Sequence, residues 1–258
     1  MADTPLELLR AHLRPLLKQG VALAFSGGVD SSLLLAVLKG LQPFPFLVLT
    51  MRSPFAPKAA EVSGVGQVVV DFDPLADATL AENPRERCYF CKRTFMARFL
   101  EVAKAKGLAT LMDGTNADDL REPRPGLRAL RELGVRSPLA ECGLTKADIR
   151  AMARALGLPN ADAPSAPCLA TRFPYGTHLT VEALEAVAEG EAAVRALLPG
   201  VAPLRLRAHP LPDGKLLGRL EVPKAAFPAV LAQMDALRAA LPARFAHLTL
   251  DLNGYRLS

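Results

Sequence analysis

The sequence predicts an α/β fold: a doubly wound parallel sheet followed by a smaller C-terminal α+β domain. Three observations lead there. Short strand-like runs alternate with helix-like stretches through the first part of the chain. A loop of small residues, Ser26 to Ser32, joins one such strand to the helix after it. Beyond a proline-rich stretch the order changes to helices mixed with alternating strands. With 258 residues the chain has room for two modest domains, each with a full core. The boundaries expected are 1–165 for the first and 166–258 for the second.

Taken in order, Leu6–Leu17 places apolar residues at helical spacing, with Pro15 expected to kink or end the helix. Val21–Phe25, Phe46–Thr50, Val68–Phe72 and Thr110–Met112 are short and rich in Val, Leu and Phe, as buried strands are. Ser31–Lys39, Ala56–Val62 and Pro84–Lys106 are the helices between them. Strands separated by helices imply right-handed crossovers and a parallel sheet. Ligands of such sheets sit at the carboxyl ends of strands, where the Ser26 loop falls. Thr145 to Asp148 has the form of a capping box with Asp in place of Glu, opening a helix through Leu156. Pro159–Pro174 holds four prolines and is a linker or active-site loop. In the tail, Thr180–Leu198 and Ala225–Leu241 are helical, whereas Leu204–His209, Lys215–Val222 and His247–Leu252 alternate like strands.

Composition excludes several classes. Half the residues are hydrophobic and 22% are charged, as in a soluble globular protein. The apolar runs are short and broken by proline or charge, so no membrane span is expected. Residues Met1 to Pro5 have no basic start and no apolar segment follows, so the expected location is the cytoplasm. A net charge of +5 suits anionic ligands without separating nucleotides from nucleic acid. Four cysteines in a chain of this length do not suggest a disulfide framework.

The loop Ser26-Gly27-Gly28-Val29-Asp30-Ser31-Ser32 carries the strongest chemical signal. Two glycines let the backbone approach a ligand, and the free N–H groups and dipole of the helix start favour an anion. It lacks the lysine of the G-x-x-x-x-G-K-[ST] loop, which disfavours a Walker-type NTPase. It resembles the SGG-x-DS loop of the PP-loop ATP pyrophosphatases, and with it the fold expected is PP-loop/HUP-like. Such enzymes release pyrophosphate from ATP and leave AMP on a substrate.

Cys88 and Cys91 stand three apart at the start of a helix and share one face. A lone C-x-x-C is open to metal ligation, redox chemistry or chance, and a closed zinc site would need ligands that no second C-x-x-C supplies. Cys168 lies in the proline-rich loop. With it, three thiolates suit a [4Fe–4S] cluster with one open iron. Cys142, before a glycine and a helix cap, reads as an ordinary buried thiol.

Further blocks sharpen the resemblance. They include Val48–Pro54, Asn83–Lys92, Asp113–Asp119, Arg124–Gly126, Val135–Leu139 and Pro167–Gly176. The tail adds Arg205–His209, Gly218–Val222 and Asp251–Arg256. Over nearly the whole chain these blocks resemble the LarE family, ATP-dependent sulfur transferases of nickel-pincer nucleotide cofactor synthesis.

The resemblance implies that a carboxylate of pyridinium-3,5-biscarboxylic acid mononucleotide attacks the α-phosphorus of ATP. Sulfur then replaces AMP to give a thiocarboxylate. On this reading Ser26, Gly27, Gly28, Val29, Asp30, Ser31 and Ser32 cradle the pyrophosphate, and Asp30 holds Mg²⁺. Thr50 and Ser53 border the adenosine, and Gly114 and Thr115 line the same pocket. Asn116, Asp118 and Asp119 meet sugar hydroxyls, or serve only as turn formers. Cys168 is the catalytic thiol, with Arg172 lowering its pKa and holding phosphate. Arg205 and Arg207, alternating on one strand face, hold a substrate phosphate, with Glu221 on a neighbouring strand as a metal or arginine partner. The alternative is a solvated sheet face with cross-strand charge pairing.

Some members of the family sacrifice the cysteine equivalent to Cys168 and lack the C-x-x-C. The presence of Cys88 and Cys91 resembles the branch with a [4Fe–4S] cluster on Cys88, Cys91 and Cys168, fed by a sulfide source. A sacrificial Cys168 with a regulatory Cys88–Cys91 disulfide is the alternative. A tRNA thiolase would also join this loop to three cysteines, but 5% aromatic residues are thin for base stacking, so nucleic acid is not the expected partner. An amidating PP-loop synthetase needs no cysteine trio. The family further implies a homo-oligomer, a trimer or hexamer.

Overall fold

The computed structural model describes residues 4–56, 61–121, 124–164 and 167–256. Its elements in chain order begin with α1 (Pro5–Leu17), β1 (Val21–Ala24), α2 (Val29–Lys39), β2 (Phe46–Arg52), β3 (Gln67–Asp71) and α3 (Ala78–Ala81). Then come α4 (Arg87–Ala105), β4 (Thr110–Met112), α5 (Pro125–Glu132), α6 (Pro138–Glu141), α7 (Lys146–Ala155) and α8 (Val181–Leu197). The chain closes with β5 (Arg205–Pro210), β6 (Leu216–Glu221), α9 (Phe227–Ala232), α10 (Met234–Ala240) and β7 (Phe245–Leu250). The residues form two compact units, Met1–Phe72 with Glu86–Ser165, and Asp73–Arg85 with Ala166–Ser258. Among the described residues no helix is long and apolar enough to cross a membrane.

The first unit is built on a four-stranded parallel sheet in the order β3-β2-β1-β4. Successive residues of a strand face opposite sides, and here both sides are apolar. Val21 and Leu23 of β1, with Val48 and Met112, pack against Leu9, Leu13 and Leu17 of α1 and Ile149 and Met152 of α7. Ala22, Leu49 and Leu111 face the other way, toward Met96 and Phe99 of α4 and Leu127 and Leu130 of α5. Two cores, one on each face, make the sheet doubly wound. Helix α1 runs through Pro15 to Leu17 instead of ending there. Proline in the last turn removes one hydrogen bond, and the buried Leu9, Leu13 and Leu17 row outweighs it. The expected helix Ala56–Val62 falls mostly outside the described residues. Of its described ends, Ala56 forms a bridge with Ser53, and Glu61 and Val62 are not helical.

At the edge of this unit Glu141 ties three segments together. It accepts from Arg136 Nη2 at 2.6 Å and from the Ser137 N–H at 2.9 Å, and it meets His12 Nε2 of α1 at 2.7 Å. The Arg136 hydrogen bonds, opposed by desolvation and aided by the Ser137 N–H and His12, lower its pKa to about 2.

The second unit carries a three-stranded mixed sheet, β5-β6-β7. β5 and β6 form an antiparallel hairpin closed by Asp213 and Gly214, where the Lys215 N–H donates to Asp213 Oδ1 at 3.0 Å. β7 runs parallel to β6, as a strand reached through a helical crossover does. That crossover is two helices, α9 and α10, broken at Gln233, where the sequence pattern suggests one. Leu220, Val222 and Val194 build the core on one face of the sheet. Helix α8 lies so close to β5 that a Cβ on Gly190 would stand 2.7 Å from Leu206 Cδ2. Asp73–Arg85 joins this unit through backbone bonds from Leu179 N–H to Ala81 C=O and from Gly176 N–H to Asn83 C=O. The alternation of strands and helices had placed that segment in the first domain.

Inside this unit lies a buried ion pair. Glu191 of α8, 3% exposed, accepts from Arg172 Nε at 2.7 Å, from Arg195 Nη2 at 2.7 Å and from the Leu206 N–H at 3.1 Å. Burial by itself would raise the Glu191 carboxyl, but these donors, Arg172 foremost, hold it below the ordinary carboxylate range.

Two outcomes are expected. Because the folded pKa of Glu141 is depressed, its contribution is present above about pH 4.5 and fades as pH falls toward about 2. The Tm difference between wild type and Glu141→Gln should therefore be largest near neutral pH and shrink across that window. A difference that grows on acidification would contradict the assignment. Glu191→Ala leaves Arg172 buried without its partner and should lower stability by about 3–5 kcal/mol in urea denaturation.

Candidate functional site

The strand order places β1 between β2 and β4, so the chain leaves β1 toward one side of the sheet and later returns to the other. At such a switch point the exit loops diverge and open a crevice at the carboxyl ends of the strands. The Ser26 loop leaves β1 there, and Asp113–Asn116 leaves β4 beside it. A cavity of about 320 Å³ lies between them. Its polar wall includes Ser26, Asp30, Ser31, Thr50, Asp113 and Thr115. Its apolar wall comes from Met51 and from Phe95, Met96 and Phe99 of α4.

The loop is shaped by its own glycines and hydroxyls. Gly27 adopts φ +76, the left-handed conformation that favours glycine. Gly28 is the N-cap of α2, and no side chain caps the helix. The first turn thus has backbone donors that a side chain would otherwise occupy. Ser31 Oγ donates to the Gly28 C=O at 3.0 Å, and the Ser26 N–H donates to Ser31 Oγ at 3.3 Å. Asn160 Nδ2 donates to the Gly27 C=O and to Ser32 Oγ, each at 2.9 Å, and so pins the loop from outside.

The exit loop of β4 presses on the start of α2. A Cβ on Gly114 would lie 3.1 Å from the Ser31 nitrogen and 3.2 Å from Asp30 Cβ, so this approach suits glycine. Asp113 accepts from the Thr115 N–H at 3.1 Å, from Thr115 Oγ1 at 2.7 Å and from Ser137 Oγ at 2.8 Å. Lys92 of α4 lines the cavity and stands 3.5 Å from Asp113 Oδ2.

Asp30 is held by two donors. Asn116 Nδ2 donates to its Oδ1 at 3.2 Å, and Lys146 Nζ, at the first position of α7, donates to its Oδ2. Asn116 Oδ1 accepts from the Asp118 and Asp119 N–H groups, and Asp118 Oδ2 accepts from the Lys146 N–H at 2.8 Å. Asp119 accepts from the Asn116 N–H and from Arg124 Nη1. Asn116, Asp118 and Asp119 thus bond one another as turn formers do, while Asn116 and Asp118 also reach Asp30 and Lys146, and Asp119 lines the cavity. Thr50 Oγ1 accepts from Gln67 Nε2 at 2.9 Å, and Ser53 Oγ accepts from the Phe55 N–H at 3.2 Å.

The second unit has a polar sheet face. Arg205 and Arg207 of β5 and Arg219 and Glu221 of β6 stand on it together, and Arg207 lies directly opposite Arg219. Like charges opposed across a ladder are unfavourable without counter-charge. Glu221 supplies it, 2.9 Å from Arg207 Nε, 3.3 Å from Arg219 Nη2 and 3.6 Å from Arg205 Nη1. Asp251 stands 3.2 Å from Arg219 Nη1. Burial, then the charge of Arg207, pushes the Arg205 pKa down. Burial, then Arg219 and Arg207, pushes the His209 imidazole down.

Cys168 begins a short 3₁₀ turn, Leu169–Arg172, beside this face. Arg207 Nη1 donates to the Thr171 C=O at 2.9 Å, and Thr171 Oγ1 donates to the Cys168 C=O at 2.7 Å. Arg172, expected near thiol and phosphate, sends its guanidinium to Glu191, to the Pro167 C=O and to Thr171 Oγ1. Those bonds hold the turn that carries the cysteine.

Cys88 and Cys91 sit in the first turns of α4, Cys88 exposed and Cys91 half-buried. Buried Arg87 brings Nη2 to 3.6 Å from Cys88 Sγ. Cys142, expected to be an ordinary buried thiol, is half-buried, and desolvation followed by the Glu141 charge raises its pKa. Among the described residues no group of three or more His, Cys, Asp or Glu side chains is placed to hold a metal ion.

Sequence reasoning missed Lys146 and Asn160, which reach the Ser26 loop from far along the chain, and Arg219 and Asp251 on the polar face. The capping box marks Lys146 only as a helix start. The apolar face of α4 reads as ordinary core.

No family model matches the chain. A pyridinium-3,5-bisthiocarboxylic acid mononucleotide synthase of Lactiplantibacillus plantarum is 33% identical over 248 residues, covering 92% of this chain and 87% of its own. An uncharacterized protein of Synechocystis sp. is 34% identical over 267 residues, covering 99% of this chain and 96% of its own. Another uncharacterized protein, from Methanocaldococcus jannaschii, is 29% identical over 188 residues, 72% of this chain and 73% of its own. Identity at this level over nearly the full length, added to the loop and strand order above, means that the chain belongs to the LarE family, that of the pyridinium-3,5-bisthiocarboxylic acid mononucleotide synthase.

Proposed function

We propose that the protein is an ATP-dependent sulfur transferase acting on pyridinium-3,5-biscarboxylic acid mononucleotide. One observation carries the ATP half of this reading. A helix that starts on an uncapped glycine opens onto a cavity at the switch point of a parallel sheet. Backbone donors with the dipole behind them suit the phosphates, and the Met51, Phe95 and Phe99 wall suits an adenine ring. The substrate half rests on the relative named for the bisthiocarboxylic product.

A carboxylate is a poor electrophile because oxide is a poor leaving group. Attack of the substrate carboxylate oxygen on the α-phosphorus expels pyrophosphate and gives an acyl adenylate. Sulfide then adds to the acyl carbon, the carbonyl re-forms, and AMP leaves with its electron pair. The product is a thiocarboxylate, and two rounds convert both carboxylates. Ser26, Ser31, Ser32 and the N–H groups of α2 bind the phosphates, Thr50 and Thr115 border the nucleoside, and Asp30 is the carboxylate for Mg²⁺. Asp30 fits that role because it lines the cavity and Mg²⁺ takes carboxylate and phosphate oxygens. Arg205, Arg207 and Arg219 form the anion-binding face for the mononucleotide phosphate, with Glu221 and Asp251 spacing the guanidiniums. Exposed Leu231, Met234 and Leu252 suit a self-association surface for the trimer or hexamer of the family.

The sulfur donor is the open half. A [4Fe–4S] cluster needs the Cys88, Cys91 and Cys168 thiolates to converge. Among the described residues no such ligand group is assembled. Cys168 on its anchored turn is the thiol common to both readings. As a sacrificial donor, its thiolate attacks the adenylate, and β-elimination from the thioester releases the thiocarboxylate and leaves dehydroalanine.

Two measurements test this. Anaerobic protein reconstituted with iron and sulfide should convert ATP to AMP and pyrophosphate with the biscarboxylated mononucleotide and not with bulk tRNA. Turnover with tRNA alone would overturn the substrate assignment. For the donor, about four irons and four labile sulfides per chain, lost in Cys168→Ala, are expected for the cluster. Absence of iron together with loss of hydrogen sulfide from the intact mass after one turnover would assign the sulfur to Cys168 itself.

A further inference from the structure

We infer that Lys146 is a phosphate-binding residue of the ATP site, supplying the cation that the Ser26 loop lacks and neutralising the charge of the departing pyrophosphate. This rests on the ATP reading above and adds a residue to it. The loop from Ser26 to Ser32 contains no lysine or arginine. Pyrophosphate leaves with more negative charge than backbone N–H groups alone neutralise well, and cations aimed at developing charge are the usual remedy. Lys146 reaches the loop itself through Asp30, whereas Lys92 lines the cavity beside Asp113. The Lys146 Nζ bonds Asp30 Oδ2, and Asp30 is in the first turn of α2 and in the cavity wall.

The delivery is built at both ends of the residue. The Lys146 N–H donates to Asp118 Oδ2 at 2.8 Å, Asp118 N–H donates to Asn116 Oδ1 at 3.0 Å, and Asn116 Nδ2 donates to Asp30 Oδ1 at 3.2 Å. The Thr145–Asp148 capping box fixes where α7 begins, and hence where Lys146 stands. The ammonium therefore closes a ring of four residues from three segments around one carboxylate. Its side chain is 30% exposed and that of Asp30 21%, so the pair borders solvent and can exchange partners. An ATP phosphate at the start of α2 competes with Asp30 for the ammonium with greater negative charge. Asp30 keeps Asn116 when Lys146 moves.

Titration calorimetry with α,β-methylene-ATP, pyrophosphate and AMP on wild type, Lys146→Met and Lys146→Arg tests the inference. Lys146→Met should weaken the triphosphate analogue and pyrophosphate about tenfold or more while changing AMP less than about twofold. Lys146→Arg should recover most of the loss, and thermal melts of the free proteins report whether each variant is folded. Equal affinity of wild type and Lys146→Met for the triphosphate, or an equal loss for AMP and triphosphate, overturns the role of Lys146 and leaves the ATP reading standing. Failure of the wild type to bind the triphosphate analogue or AMP overturns both.

Discussion

The first unit depends on the approach of the β4 exit loop to the first turn of α2. Gly114 packs against the Ser31 nitrogen and Asp30 Cβ at distances that a side chain would crowd. That contact brings together Ser26–Ser32, Asp113–Asp119 and the start of α7, which are far apart in sequence. It depends in turn on the sheet order, since only with β4 paired beside β1 do the two loops leave the sheet side by side. The polar groups of the crevice are then satisfied mainly by one another. Asp113 is filled by Thr115 and Ser137, and Asp30 by Asn116 and Lys146. Such a network ties the loops to one another through their own side chains.

The second unit meets a different constraint, the burial of charge. Glu191 lies in the interior among Arg172, Arg195 and the Leu206 N–H. A carboxylate there is tolerable only with its donors in place. By holding Arg172 it holds the turn that presents Cys168, and Arg207 secures the same turn from the sheet through the Thr171 carbonyl. Each arginine in this region has a structural partner, while the face as a whole keeps more positive than negative groups.

Much of this was legible before the fold. The strands and most helices follow from apolar spacing, and the Thr145–Asp148 capping box stands where the pattern put it. The Ser26 loop is legible because its signal is local: two glycines and four polar residues within seven positions after a strand. Pro15 misled because a proline in a last turn costs little. The break between α9 and α10 has no glycine or proline to announce it at Gln233. For Asn116, Asp118 and Asp119, residue type alone left turn former and ligand group open. Their mutual hydrogen bonds are those of a turn, while Asn116 and Asp118 also bond Asp30 and Lys146 on other segments.

By itself, then, the sequence determined the α/β class, the small-residue loop from Ser26 to Ser32 and the family, because each is written in neighbouring residues or in blocks in fixed order. Tertiary structure alone decided that Asp73–Arg85 joins the second unit and that Asn160 and Lys146 reach the Ser26 loop. It likewise decided that Arg172 is committed to Glu191 and that Arg219 and Asp251 complete the charged face. The physical reason is common to all of them. Which partner satisfies a buried charge or an exposed loop carbonyl depends on segments that meet only when the sheets have formed, and no spacing along the chain encodes that meeting.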